Sequence, residues 1–200
     1  ITSYAKILAH FRAPQKALQL EHFNLLHRVL KLSTYNGRMF ALNEIMTQLN
    51  STKQFYSDSN KLSAKEAAEW TKEALLPVML RDSLHLKQYV DRCVNVLIFM
   101  MDHDALTTSD IDMIWNAKLG AHPAIILNID DLFASIADKL SDSLLGYLLD
   151  KFRNMWLASG ASKKEREQLL GLVKRLAEDS RIGDKILDLL WGMATGVDVS

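Results

Sequence analysis

Cys93 is the only cysteine among 200 residues, and it sits in Val90-Asp91-Arg92-Cys93-Val94-Asn95. A nucleophilic cysteine needs a depressed pKa and access to substrate. This one lies mid-helix on an apolar pattern with no glycine nearby, which predicts a buried, inert thiol. Asp82, Ser83 and His85 supply all three residue types of a hydrolytic triad. A triad is assembled by folding rather than by adjacency, and no oxyanion-hole glycine loop is close in sequence. A polar corner between helices is the expected role. His22 and His27 are not spaced to share a helix face, and no His-Glu-x-x-His occurs.

Asp102, Asp104, Asp110 and Asp112 form an acidic cluster. A calcium loop starting at Asp102 would need Gly and Glu where Thr107 and Met113 stand, so that reading fails. Negative charge at the start of a helix near Thr108, facing its dipole, is a sufficient account. No Walker loop or dinucleotide fingerprint is present, nor arginine–aromatic interleaving of the kind that stacks bases. Hence no catalytic, cofactor-binding or metal-binding residue is assigned, and no cofactor is expected. The one candidate interaction patch is the basic stretch Lys163, Lys164, Arg166, Lys174 and Arg175, which could meet an acidic partner, a phosphopeptide or a membrane surface. Glu165 and Glu167 interleave, so a solvated helix face competes with that reading.

These residues must be positioned by helices. The chain has 3 prolines and 8 glycines, too few turn residues for an all-β protein. Its 48% hydrophobic and 24% charged residues give a globular balance. Lys+Arg and Asp+Glu are both 24, so no net charge draws it to nucleic acid or anionic lipid. The longest uninterrupted apolar run, Val96 to Met101, is too short to span a bilayer. A single cysteine excludes an internal disulfide and fits a reducing compartment, so a cytoplasmic location is expected. No signal peptide is visible, and a start at Ile1 suggests a fragment or a processed chain.

Helical spacing predicts helices over Tyr4 to Phe11 and Gln15 to Leu32, and a third starting near Gly37 with Met39, Phe40, Leu42, Ile45, Met46 and Leu49 inward. Asn50 to Lys61 reads as a polar loop. Ser63-x-x-Glu66 and Ser162-x-x-Glu165 are capping boxes. The helix after Ser63 should end before Pro77. Leu86 to Met101 is apolar on nearly all sides and so central. Gly120 should end the helix that starts at Thr108, Pro123 should open the next, and Ser141 should cap the one after it. Gly160 closes that one, with Lys163–Glu178 and Ile182–Ala194 following. On the helix after Ser162, Leu169, Leu170, Val173, Leu176 and Ala177 should face inward.

The tryptophans stand at 70, 115, 156 and 191. Ile111-Asp112-Met113-Ile114-Trp115 recurs as Leu187-Asp188-Leu189-Leu190-Trp191, which predicts equivalent buried tryptophans in related helices. The expected fold is all-α: an armadillo/HEAT-like helical-repeat solenoid segment of antiparallel helices with short links. Residues 1–200 are read as a single α-helical repeat segment of a longer array, with an apolar end surface incompletely covered at helix 182–194.

The residues also carry a family likeness. Leu80-Arg81-Asp82-Ser83-Leu84-His85 with Gln88-Tyr89-Val90 is one part of it. Ala105-Leu106-Thr107, Asp110-Ile111-Asp112 and Ile114-Trp115-Asn116-Ala117 form another. Gly120-Ala121-His122 with Ala124-Ile125, Ala161-Ser162-Lys163-Lys164-x-Arg166-Glu167-x-Leu169-Leu170, and Lys174-Arg175-Leu176-Ala177-Glu178-Asp179 complete it. From Met39 to Trp191 the chain resembles the N-terminal non-catalytic region of fat-facets-type ubiquitin-specific proteases. The resemblance implies a piece of a large cysteine deubiquitinase whose papain-like catalytic domain lies elsewhere. The implied partners are deubiquitinase substrates or regulators, with ubiquitin among the candidates, and the rest of the parent array. None of that family's catalytic Cys or His boxes can be placed here. A stand-alone α-helical adaptor is the alternative, and a small hydrolase using Cys93 or Ser83 a weaker third reading.

Overall fold

The computed structural model describes residues 15–53, 60–178 and 181–195. The helix expected over Tyr4 to Phe11 lies outside them. The described residues are mainly helical, with no strand among them. They divide into two compact units, and the division falls after Val90, inside one helix.

The first unit holds the described residues up to Leu84, together with Asp91–Leu106. Helices α1 (Gln15–Leu32) and α2 (Tyr35–Thr52) pack on each other. Their cores are Phe23, Leu26 and Leu30 on α1 and Ala41, Leu42, Ile45 and Leu49 on α2. Phe40 is exposed, against expectation. It stands one residue before the Ala41–Ile45–Leu49 stripe, about 100° around the helix and outside the buried arc. α2 also runs through Asn50 to Thr52, so the expected loop starts later. Residues 54–59 of that loop lie outside the described residues.

Helix α3 (Ala64–Trp70) begins at the Ser63/Glu66 capping box, with the Glu66 carboxylate accepting the Ser63 backbone N–H at 3.1 Å. The chain does not leave the helix before Pro77. A π-helical turn over Thr71–Leu75 leads into α4 (Leu76–Met79), which contains the proline. The Leu76 N–H donates to the Thr71 carbonyl, five residues back. The widened turn makes room for a ring that a regular helix would drive into a carbonyl, which is why the helix survives. Helix α5 (Lys87–Asp102) buries Cys93, Val96, Leu97, Phe99 and Met100, as its apolar pattern required.

The second unit holds His85–Val90 and the described residues from Thr107 onward. Helix α6 (Thr108–Asn116) is followed by Gly120, whose φ of 67° is the left-handed conformation that ends the segment. Helix α7 (Pro123–Ile136) opens on its proline, and α8 (Asp142–Leu157) is capped by Ser141, whose hydroxyl accepts the Leu144 N–H. Helix α9 (Lys163–Ala177) starts from the Ser162/Glu165 capping box, and α10 (Gly183–Thr195) follows. On α9 the buried residues are Leu169, Leu172, Val173 and Leu176, while Leu170 and Ala177 face outward.

Contacts in this unit join each helix to its next-but-one neighbour: α6 to α8, α8 to α10, and α7 to α9. That is the stacking of helix pairs in a solenoid, where one helix of each pair lies on its counterpart in the next. α7 and α9 begin at Pro123 and Lys163, an offset in the range of about 40–47 residues for HEAT and armadillo units.

The two tryptophan pentapeptides are not equivalent. Trp115 is 7% exposed, against Phe133 and Phe152 at ring-centroid distances of 6.0 and 5.6 Å. Trp191 is 63% exposed and Leu187 64%. α10 instead buries Ile186, Leu189 and Met193. Its burial pattern matches that of Ile111, Ile114 and Lys118 with one residue less offset than the pentapeptides suggest. A slip of one residue turns a helix by about 100°, so Leu190 takes the place of Trp115 and Trp191 points outward.

Candidate protein-interaction surfaces

Cys93 is fully buried within the apolar face of α5, and burial pushes its thiol far above the ordinary range. A thiol so held cannot supply a thiolate at neutral pH. Ser83 faces a cation rather than a base: the Arg38 Nη1 donates to its Oγ at 2.9 Å, and Arg38 Nη2 lies 3.4 Å from Asp82. The φ of 66° at Ser83 belongs to this tight corner. His85 is exposed.

The acidic cluster is dispersed into separate structural tasks. Lys53 pairs with Asp102 at 2.9 Å. Asp110 accepts the backbone N–H and the hydroxyl of Thr107, at 2.8 and 2.7 Å, and so closes a capping box at the start of α6. Asp112 accepts from the Tyr147 hydroxyl and pairs with Lys151, both at 2.7 Å, which holds its carboxyl below the usual range. Among the described residues no group of three or more His, Cys, Asp or Glu side chains is arranged to hold a metal ion.

The basic stretch divides between arginines engaged with the fold and lysines on the surface. Arg175 turns inward to the Asp131 carboxylate, 3.7 Å from Asp130, and donates from Nε to the Gly171 carbonyl. Arg166 donates to the Ala158 carbonyl at 3.3 Å and lies over the Trp156 ring at 5.7 Å. Lys163 stands 3.7 Å from Glu167 on an exposed face. Lys164 and Lys174 are exposed.

A polar groove of about 430 Å³ in the first unit escaped the sequence reading. Asn43, Met46, Asn50 and Lys53, along α2 and at its end, form one wall. Arg92, Asn95, Ile98 and Phe99 of α5 form the other. Asn50 reads as loop from the sequence, whereas the helix carries Asn43 and Asn50 two turns apart along one wall. Which helix would stand opposite is a tertiary fact with no local signal.

The family profile for the UBP24/USP9X/USP9Y ARM repeat matches residues 16–200. The chain belongs to this family. Its relatives include ubiquitin carboxyl-terminal hydrolase 9X of Mus musculus, 40% identical over 194 residues, which cover 92% of this chain and 8% of that protein. The probable ubiquitin carboxyl-terminal hydrolase FAF of Drosophila melanogaster is 36% identical over 219 residues, covering 100% and 8%. Ubiquitin carboxyl-terminal hydrolase 24 of Homo sapiens is 25% identical over 175 residues, covering 86% and 6%. The chain thus spans about 8% of the length of the first of these relatives. The expected likeness to fat-facets-type enzymes and the all-α repeat fold both stand. For this armadillo-repeat family member, no described helix is long and apolar enough to cross a membrane.

Proposed function

We propose that this chain is a non-catalytic docking segment of a ubiquitin carboxyl-terminal hydrolase. It presents helical-repeat surfaces to proteins while a separate papain-like thiol protease domain removes ubiquitin. The observation that carries this reading is the pairing of family membership with a single, fully buried thiol. Residues 1–200 then act as one segment of a longer array in the cytoplasm. The partners are substrates or regulators of the hydrolase, with ubiquitin itself a candidate and exposed Lys163, Lys164 and Lys174 available to an acidic surface.

Replacing residues 15–195 of the parent hydrolase with a flexible linker tests this. Cleavage of a small ubiquitin ester should persist, and removal of ubiquitin from a protein substrate that depends on docking should fall. Loss of ester cleavage would place part of the catalytic machinery in this segment and overturn the proposal.

A further inference from the structure

The groove between α2 and α5 combines three properties that single out a ligand class. Its rim is amide-rich: Asn43, Asn50 and Asn95 are all exposed. A carboxamide offers both a donor and an acceptor, as a peptide group does, so spaced asparagines match an extended backbone that has left its own sheet or helix. Its less exposed lining is apolar: Phe99 is buried, and Met46 and Ile98 are half-buried.

Charge supplies the third property. The lining residues include two cations, Lys53 and Arg92, and no carboxylate. Lys53 is committed to Asp102 at 2.9 Å and lies 5.5 Å from the Phe99 ring centroid. Arg92 is different. Its Nε donates to Asn43 Oδ1 at 2.8 Å, which fixes the plane of the guanidinium. That bond leaves the terminal nitrogens to form a fork, the geometry that binds a carboxylate through two parallel hydrogen bonds.

The stripe Asn43–Met46–Asn50–Lys53 runs about 15 Å at the helical rise. Four to five residues of extended chain, at about 3.3 Å each, cover that length. We propose that this groove binds a short extended segment of a partner protein, with an aspartate or glutamate side chain on Arg92 and the backbone on the asparagine amides. A peptide ligand presupposes the docking role proposed above.

Fluorescence polarisation with the whole chain tests the site. The probe is a labelled peptide of about eight residues in which glutamate alternates with alanine, compared with the same peptide carrying glutamine. The glutamate peptide should bind more tightly than the glutamine one. Arg92→Gln should weaken it by about tenfold or more, and Arg92→Lys by less, because an ammonium keeps the charge but lacks the fork. Asn50→Ala and Asn95→Ala should weaken both peptides, since they act on the backbone. Lys163→Gln with Lys164→Gln should leave binding unchanged. All these positions are exposed or half-buried, and circular dichroism confirms that each variant folds.

Equal affinity for the two peptides, or unchanged binding in Arg92→Gln, would overturn the assignment. So would complete displacement by free glutamate at the peptide's own concentration, which would mark a simple anion site. A failure here with the linker replacement behaving as expected removes the groove alone. A linker replacement without effect on protein substrates removes the docking role itself.

Discussion

Lys118 and Asp130 form a buried ion pair, the lysine Nζ donating to Asp130 Oδ1 at 2.6 Å and standing 3.8 Å from the Trp115 ring centroid. The two residues are only 7% and 3% exposed. Burial opposes both charges, pushing the lysine pKa down and the aspartate up, while the partner and nearby Arg175 pull Asp130 back. Such a pair fixes geometry more than it adds net stability.

Asp130→Leu therefore strands a buried ammonium beside Arg175 and should cost about 3–5 kcal/mol. Lys118→Met should cost less, because Arg175, 3.7 Å from Asp130, still answers the aspartate. The double variant should recover most of the loss, since both charges are then gone. Urea unfolding of the three variants checks the order, and a double variant no better than Asp130→Leu would contradict it.

The two tryptophans should respond very differently. Trp115→Ala empties a site between Phe133 and Phe152 and should cost about 3–5 kcal/mol. Trp191→Ala removes a 63% exposed ring and should stay within about 0.5 kcal/mol. Thermal unfolding measures both, and comparable losses would restore the register that the pentapeptides suggested.

Acid should loosen the second unit through Asp112. Hydrogen bonds from Lys151 and Tyr147 depress its folded pKa below the ordinary value of 3.8. A carboxylate depressed on folding contributes stability above its unfolded pKa and loses it as pH falls through the folded one. The contribution of Asp112 should thus be complete above about pH 5 and fade as pH falls below about 4 and on through the lowered folded pKa. Melting temperature against pH should show a flatter acid limb in Asp112→Asn. An unchanged limb would show that the three groups do not hold together in solution.

Cys93 should be silent in the folded chain. An aromatic disulfide reagent should fail to label it at neutral pH, then react fully in denaturant, because reaction needs an exposed thiolate. Rapid native labelling would show that α5 opens or that the thiol is accessible.

Local chemistry was readable wherever the cause lay within a few residues. Ser63 with Glu66, Ser162 with Glu165, Pro123 and Gly120 each marked a helix boundary that the structure keeps. Asp110 was read as a favourable charge near a dipole, whereas its carboxylate closes a capping box on Thr107. An aspartate at that position, in place of the usual glutamate, hid the motif. Pro77 misled because its rule assumes a regular helix, and a π turn removes the clash. The tryptophan pentapeptides misled because similar residue types do not fix helix rotation, which the buried Ile186, Leu189 and Met193 decide. The groove was invisible because α2 and α5 are joined only by folding.

The most direct test adds the purified 200-residue chain in excess to a parent ubiquitin hydrolase. A docking segment should compete for protein partners without touching the catalytic domain. Removal of ubiquitin from a protein substrate should therefore slow as the chain is added, while cleavage of a small ubiquitin ester stays constant. Slowing of both reactions, or of neither, would contradict the account.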